Sequence, residues 1–126
     1  MDLEKRIRQQ FEDSASTALD TSAAIGAKIL QAAQRMVTAH DRQKKILICG
    51  NGGSAADALH CSAELLCRYQ RERPPLAAIA LSADNATITA TANDYAFDQI
   101  FSRQINALGR PGDLLIAGPA QGIDLS

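Results

Sequence analysis

Leu3, Ile7, Phe11, Ala15, Ala18 and Leu19 recur at spacings of three and four, which places them on one stripe of an amphipathic helix with Asp2 as its N-cap. A second stripe follows Asp20-Thr21-Ser22 and runs through Ile25, Ile29, Ala32, Ala33, Met36 and Val37. It closes in His40 and the short basic run Arg42 to Lys45, as suits the negative end of a helix dipole. The pattern therefore predicts a pair of helices ahead of any strand, useful either as packing or as an oligomer interface.

The period then changes. Ile46-Leu47-Ile48-Cys49 is a continuous apolar run stopped by Gly50-Asn51-Gly52-Gly53-Ser54, the signature of a strand buried on both faces of a parallel sheet and feeding a glycine turn. Ser54 reads as N-cap of a helix from Ala55 to about Arg68, and Pro74-Pro75 halts the chain before a second apolar run, Leu76 to Leu81. A short helical stretch to Ala92, a turn at Asn93-Asp94, and a helix carrying Phe97, Ile100, Phe101, Ile105 and Leu108 follow. After Gly109-Arg110-Pro111-Gly112, residues Asp113 to Ala117 read as a third strand. Strands alternating with helices predict an α/β fold, a three-layer doubly wound parallel sheet preceded by the helical pair. The expected organisation is one domain, with N-terminal helices over 1–43, a βα core over 44–117 and a tail over 118–126.

Composition narrows the function. With 13 Lys and Arg against 14 Asp and Glu in 126 residues, the basic excess expected of a nucleic-acid binder is missing. No apolar run approaches the ~18 residues a membrane span needs, and the charged first ten residues do not resemble a signal peptide, so the expected location is the cytoplasm. Cys49, Cys61 and Cys67 are odd in number and form no Cys-x-x-Cys pair, which argues for reduced, buried thiols.

The Gly50 to Ser54 turn lies where a parallel sheet presents free backbone N–H groups and a helix N-terminus, a place for anionic or polyhydroxyl ligands. A tight βα turn needing glycine for its backbone alone would give the same pattern. No Gly-Lys-Ser/Thr follows, so the turn is not a nucleotide triphosphate cradle. Gly50-x-Gly52-x-x-Ala55 matches the short dinucleotide fingerprint, but Asp84 lies well past the ~20-residue offset of a ribose contact. His60 and Glu64, four apart, share one helix face with Asp57 a turn earlier. A carboxylate there could carry a proton between adjacent carbons of a sugar through an enediol, and the same two side chains could hold a divalent metal if further ligands were supplied. A surface hydrogen-bonded pair is the plainer alternative. His40, alone at a helix end, reads as a dipole partner.

Taken together, Cys49 through Tyr69, Arg73-Pro74, Ala92-Asn93-Asp94, Ile100-Phe101-Ser102 and Ala107-Leu108-Gly109-x-x-Gly112-Asp113 closely resemble the phosphoheptose isomerase family. The resemblance implies the sugar isomerase (SIS) fold, conversion of sedoheptulose 7-phosphate to a heptose 7-phosphate for lipopolysaccharide core synthesis, and a homotetramer with active sites at subunit interfaces. It implies substrate contacts from Asn51, Gly52, Gly53, Ser54, Asn93 and Asp94. Glu64 would be the catalytic base and, with His60, a zinc ligand. A related SIS protein that binds the replication initiator DnaA is the non-enzyme alternative; it typically lacks the glutamate found here as Glu64.

The resemblance breaks after the third strand. Where the family carries a Ser-Thr-Ser-Gly-Asn-Ser loop that grips phosphate, this sequence reads Gly118-Pro-Ala-Gln-Gly-Ile-Asp-Leu-Ser126, with Pro119, Gln121 and Asp124 in place of hydroxyls. Asp124 would repel a phosphate. The family's later glutamine and histidine, which complete the metal site and supply the acid, have no counterpart, so the expectation is a C-terminally truncated member with little activity of its own.

Overall fold

A computed structural model describes residues 2–118. It opens with one helix, α1, over Leu3–Asp41, where the sequence pattern predicts two. Asp2 caps it as expected, its Oδ1 accepting from the Lys5 N–H at 3.1 Å. The two stripes join because Asp20-Thr21-Ser22 holds neither proline nor glycine. Thr21 Oγ1 donates back to the Thr17 carbonyl at 2.7 Å, so its hydroxyl is satisfied inside the helix. Residues up to Arg35 form one compact unit and residues from Met36 onward a second.

The second unit holds the sheet. Strands β1 (Ile46–Cys49), β2 (Ala78–Ala80) and β3 (Leu114–Ala117) are parallel in the order β2-β1-β3. Ile46 pairs with Ala78 on one side and Leu114 on the other, and Leu81 N–H and Gly118 N–H extend the two ladders to the Ile48 and Cys49 carbonyls. All four residues of β1 are buried, as a central strand requires.

Alternation along β1 divides the core into two layers. Leu47 and Cys49 face Leu81, Ile100 and Phe101, with Ile88, Ala92 and Ile105 packed around them. Ile46 and Ile48 face Ala58 and Ala80, with Met36, Cys61 and Leu65 around them. Helix α2 (Gly53–Leu66) thus covers one face, and α3 (Asn85–Asp94), the 3-10 turn Phe97–Gln99 and α4 (Ser102–Leu108) the other. This is the three-layer α/β arrangement that the sequence predicts.

Three polar contacts fix the layers. Buried Gln104 donates through Nε2 to the Leu81 and Ile100 carbonyls at 2.8 and 2.9 Å, tying α4 to the end of β2. Ser82 Oγ donates to the Ala55 carbonyl at 3.0 Å and ties the same point to the first turn of α2. At the other sheet edge the Asp113 carboxylate accepts from Lys45 Nζ, Lys45 N and Arg110 N. Burial works to raise the pKa of Asp113, but these hydrogen bonds and the Lys45 charge outweigh it and hold the carboxyl below its ordinary range.

Candidate active site

The order β2-β1-β3 makes β1 the strand at which the chain reverses direction across the sheet, and open α/β sheets bind ligands beyond the C-terminal ends of strands at that point. The turn leaving β1 is built for close approach. A Cβ on Gly50 would lie 2.5 Å from Ser54 Cβ, so only glycine lets the turn fold back on α2. Gly52, at φ 57°, takes the left-handed conformation and is the residue that caps α2. Ser54 therefore sits inside the first turn of α2 and is not its N-cap, because the turn at Gly52 starts the helix earlier than the sequence suggests. Ser54 N–H donates to the Asn51 carbonyl and Ala55 N–H to the Gly52 carbonyl, both at 3.0 Å. The N–H groups of Gly52 and Gly53 have no acceptor among the described residues, which leaves donors facing the helix N-terminus.

The exit of β3 borders the same turn. A Cβ on Gly118 would meet Ser54 Cβ at 2.9 Å and Ser54 Oγ at 3.1 Å, so the backbone after β3 starts against the Ser54 hydroxyl. Residues 119–126, including Pro119, Gln121 and Asp124, lie outside the described residues. Sequence reasoning missed both the Gly118 contact and the Ser82 tie, since each joins residues far apart in the chain.

His60 and Glu64 share a face of α2 as their spacing predicts, with His60 Nε2 and Glu64 Oε1 3.2 Å apart. His60 is largely exposed at 77%, and Glu64 is more sheltered at 36%. The negative charge of Glu64 is felt next door: burial first, and then that charge, push the Cys61 thiol above its usual value. Cys49 is buried, Cys61 half-buried and Cys67 exposed, so the expectation of uniformly buried thiols fails at Cys67, which lies just past the end of α2. Glu64 stands ten residues beyond Ser54, about 15 Å along the helix axis, with its side chain leaning back toward the turn. Two donors are too few for a structural metal, and no cluster of three or more His, Cys, Asp or Glu exists among the described residues.

Asn93 and Asp94 occupy the last turn of α3, not a turn beyond it. Asn93 Nδ2 donates to Asp94 Oδ1 at 3.1 Å, and both side chains are exposed. Among the described residues no hydrogen bond or ion pair links them to the Asn51–Ser54 turn or to Glu64. Asp84 is committed to capping α3. Its Oδ1 accepts from Thr87 N at 3.1 Å and its Oδ2 from Thr87 Oγ1 at 2.6 Å, bonds that hold its carboxyl below the ordinary value. A carboxylate so occupied is not set up to receive a ribose.

A parallel sheet with a glycine turn at the strand where the chain reverses, and a helix bearing His60 and Glu64, define an α/β domain with a candidate site beyond the C-terminal end of β1. The chain belongs to the SIS domain family, whose profile matches residues 10–124. It is 56% identical over 117 residues to the phosphoheptose isomerase of Azoarcus, an alignment covering 93% of this chain and 59% of that protein. Among solved structures it resembles a phosphoheptose isomerase from Francisella tularensis (TM-score 0.86, 44% identity, 93% of this chain and 61% of that one). It also resembles that of Neisseria gonorrhoeae (TM-score 0.83, 41% identity, 91% and 59%). The chain thus spans about three-fifths of the length of the relatives it matches.

Proposed function

We propose that this chain carries the front part of a phosphoheptose isomerase site, acting on sedoheptulose 7-phosphate and D-glycero-D-manno-heptose 7-phosphate in the supply of heptose for lipopolysaccharide. The observation that carries the reading is Glu64, placed on the helix that the Asn51–Ser54 turn begins, in a chain 56% identical to an isomerase of that name. The anionic end of the sugar lies at the turn, where the Gly52 and Gly53 N–H groups and Ser54 Oγ offer donors beside the dipole of α2. The separation of Ser54 and Glu64 along α2 suits an open-chain substrate held by its phosphate at one end and reacting at the other. Asn93 and Asp94 contribute further contacts to the sugar hydroxyls.

In the reaction the Glu64 carboxylate removes a proton from C1 of the ketose, the C2 carbonyl oxygen gains a proton, and an enediol forms. Glu64, whose proton exchanges with solvent while the enediol persists, then delivers a proton to C2, and loss of the C1 hydroxyl proton gives the aldose. His60, 3.2 Å from Glu64, orients the carboxylate. His60 and Glu64 also provide two donors of the kinds that zinc accepts, and zinc would polarise the sugar oxygens when bound. Its remaining ligands would have to come from outside the described residues.

The working form is a cytoplasmic homotetramer with sites completed between subunits. No helix among the described residues is long and apolar enough to cross a membrane. The isomerase names of the similar proteins favour this reading over initiator binding. The test is conversion of sedoheptulose 7-phosphate by residues 1–126 and by a chimaera in which residues 1–117 are followed by the C-terminal remainder of the Azoarcus enzyme. Turnover by the chimaera, with little by the shorter chain, is expected; robust turnover by residues 1–126 alone would mean that the later segments are dispensable, and none by the chimaera would reject the reading.

A further inference from the structure

The last turn of α2 leaves carbonyl groups without helical partners, and the way this chain satisfies them singles out one side chain. Arg73 Nη2 donates to the Glu64 carbonyl at 2.5 Å and Nη1 to the Leu65 carbonyl at 2.9 Å, with a further bond from Nη1 to the Pro74 carbonyl at 3.1 Å. Leu76 N–H donates to the same Leu65 carbonyl at 3.0 Å, and Cys67 N–H to the Ala63 carbonyl at 2.9 Å. A planar guanidinium presents N–H groups in a fixed fork that spans two successive carbonyls in this way, where a lysine offers one flexible ammonium without that fork.

The segment that brings Arg73 back to the helix turns sharply at Gln70. Arg71 N–H donates to the Tyr69 carbonyl at 2.7 Å, and between them Gln70 takes φ 61°, a left-handed conformation uncommon for a non-glycine residue. Arg73 is half-buried although its neighbours Glu72 and Pro74 are exposed. The cation also faces the negative end of the α2 dipole.

We propose that Arg73 is a positioning residue for Glu64: by gripping the carbonyls of residues 64 and 65 it fixes the backbone that carries the base, so that the carboxylate meets the substrate carbon without reorganisation. The inference rests on the isomerase reading above. It acts through the main chain and not through the reacting atoms, so it predicts a loss of kcat with little change in KM.

Two measurements test it. In the 126-residue chain, Arg73→Ala is expected to speed amide exchange at Glu64 to Arg68 by about tenfold or more while leaving the β1 amides unchanged. Unaltered exchange there would overturn the anchoring. In the chimaera, Arg73→Ala should lower kcat by about tenfold or more with KM within about twofold, as displacement of a catalytic group by a fraction of an ångström does. Added to Glu64→Gln, it should cost almost nothing further, because its effect passes through Glu64. An equal loss in both backgrounds marks Arg73 as a helix cap only and overturns the proposal, as does kcat within about threefold of the parent. Should Arg73→Ala fail to fold, Arg73→Lys, which keeps the charge but loses the rigid two-pronged fork, takes its place, with a loss of about threefold or more expected in the parent background alone. A parent chimaera without turnover would reject the isomerase reading, while the exchange experiment would still decide whether Arg73 anchors the turn.

Discussion

Glu64 is the residue on which the proposed chemistry converges, and two roles for it can be told apart. Its 3.2 Å contact with His60 is an i,i+4 pair on a solvent-facing helix surface, and such pairs stabilise a helix by only about 0.2–0.5 kcal/mol. Glu64→Gln preserves size and polarity and removes the proton acceptor. If Glu64 is the base, this change in the chimaera should lower turnover on the order of a hundredfold or more, with substrate binding largely retained. If it is only a partner for His60, the unfolding free energy should shift by less than about 0.5 kcal/mol and turnover should stay within about threefold of the parent. Steady-state kinetics and urea unfolding on the same two proteins distinguish the outcomes.

At the scale of elements, α1 is the outlier. Of its 39 residues only Ala39 is buried, while Leu3, Ile7, Phe11 and Leu19 are each more than half exposed. A stripe of large apolar side chains at helical spacing is a costly thing to leave in water, and a second copy of the same helix is the cover proposed for it. Sedimentation at micromolar concentration should find an oligomer, and Phe11→Glu with Leu19→Glu should shift it toward monomer without loss of helical circular dichroism. A well-folded monomer of the parent chain would contradict the proposal.

The same helix shows what a sequence can and cannot say at this scale. Its stripes were legible because the 3.6-residue period is local. Its continuity through Asp20-Thr21-Ser22 was not, because the hydroxyl of Thr21 can serve either a turn or the preceding carbonyl, and here it serves Thr17. The buried run Ile46 to Cys49 and the glycine turn after it were equally readable, since close packing against Ser54 leaves room only for glycine at position 50. The helix start at Gly52 and the return of Arg73 onto α2 depend on a positive φ and on contacts spanning up to nine residues, which period and propensity do not encode.

For the whole molecule, the sheet order decides where chemistry can occur. Strand β1 lies between β2 and β3, and the turn leaving it opens toward the exit of β3, where Gly118 abuts Ser54. Whatever follows Gly118 therefore begins at the proposed phosphate end of the site, which is why the chimaera and not the short chain is expected to turn over. The central claim is that this site moves a proton between adjacent carbons of a sugar phosphate through an enediol, with Glu64 as the base. The most direct measurement is to incubate the chimaera with sedoheptulose 7-phosphate in heavy water and follow the sugar carbons by nuclear magnetic resonance. The account predicts deuterium at C2 of the aldose, or at C1 of recovered ketose, at a rate that falls with Glu64→Gln. Aldose formation with no solvent deuterium in either sugar, and an unchanged rate in the Glu64→Gln protein, would contradict it.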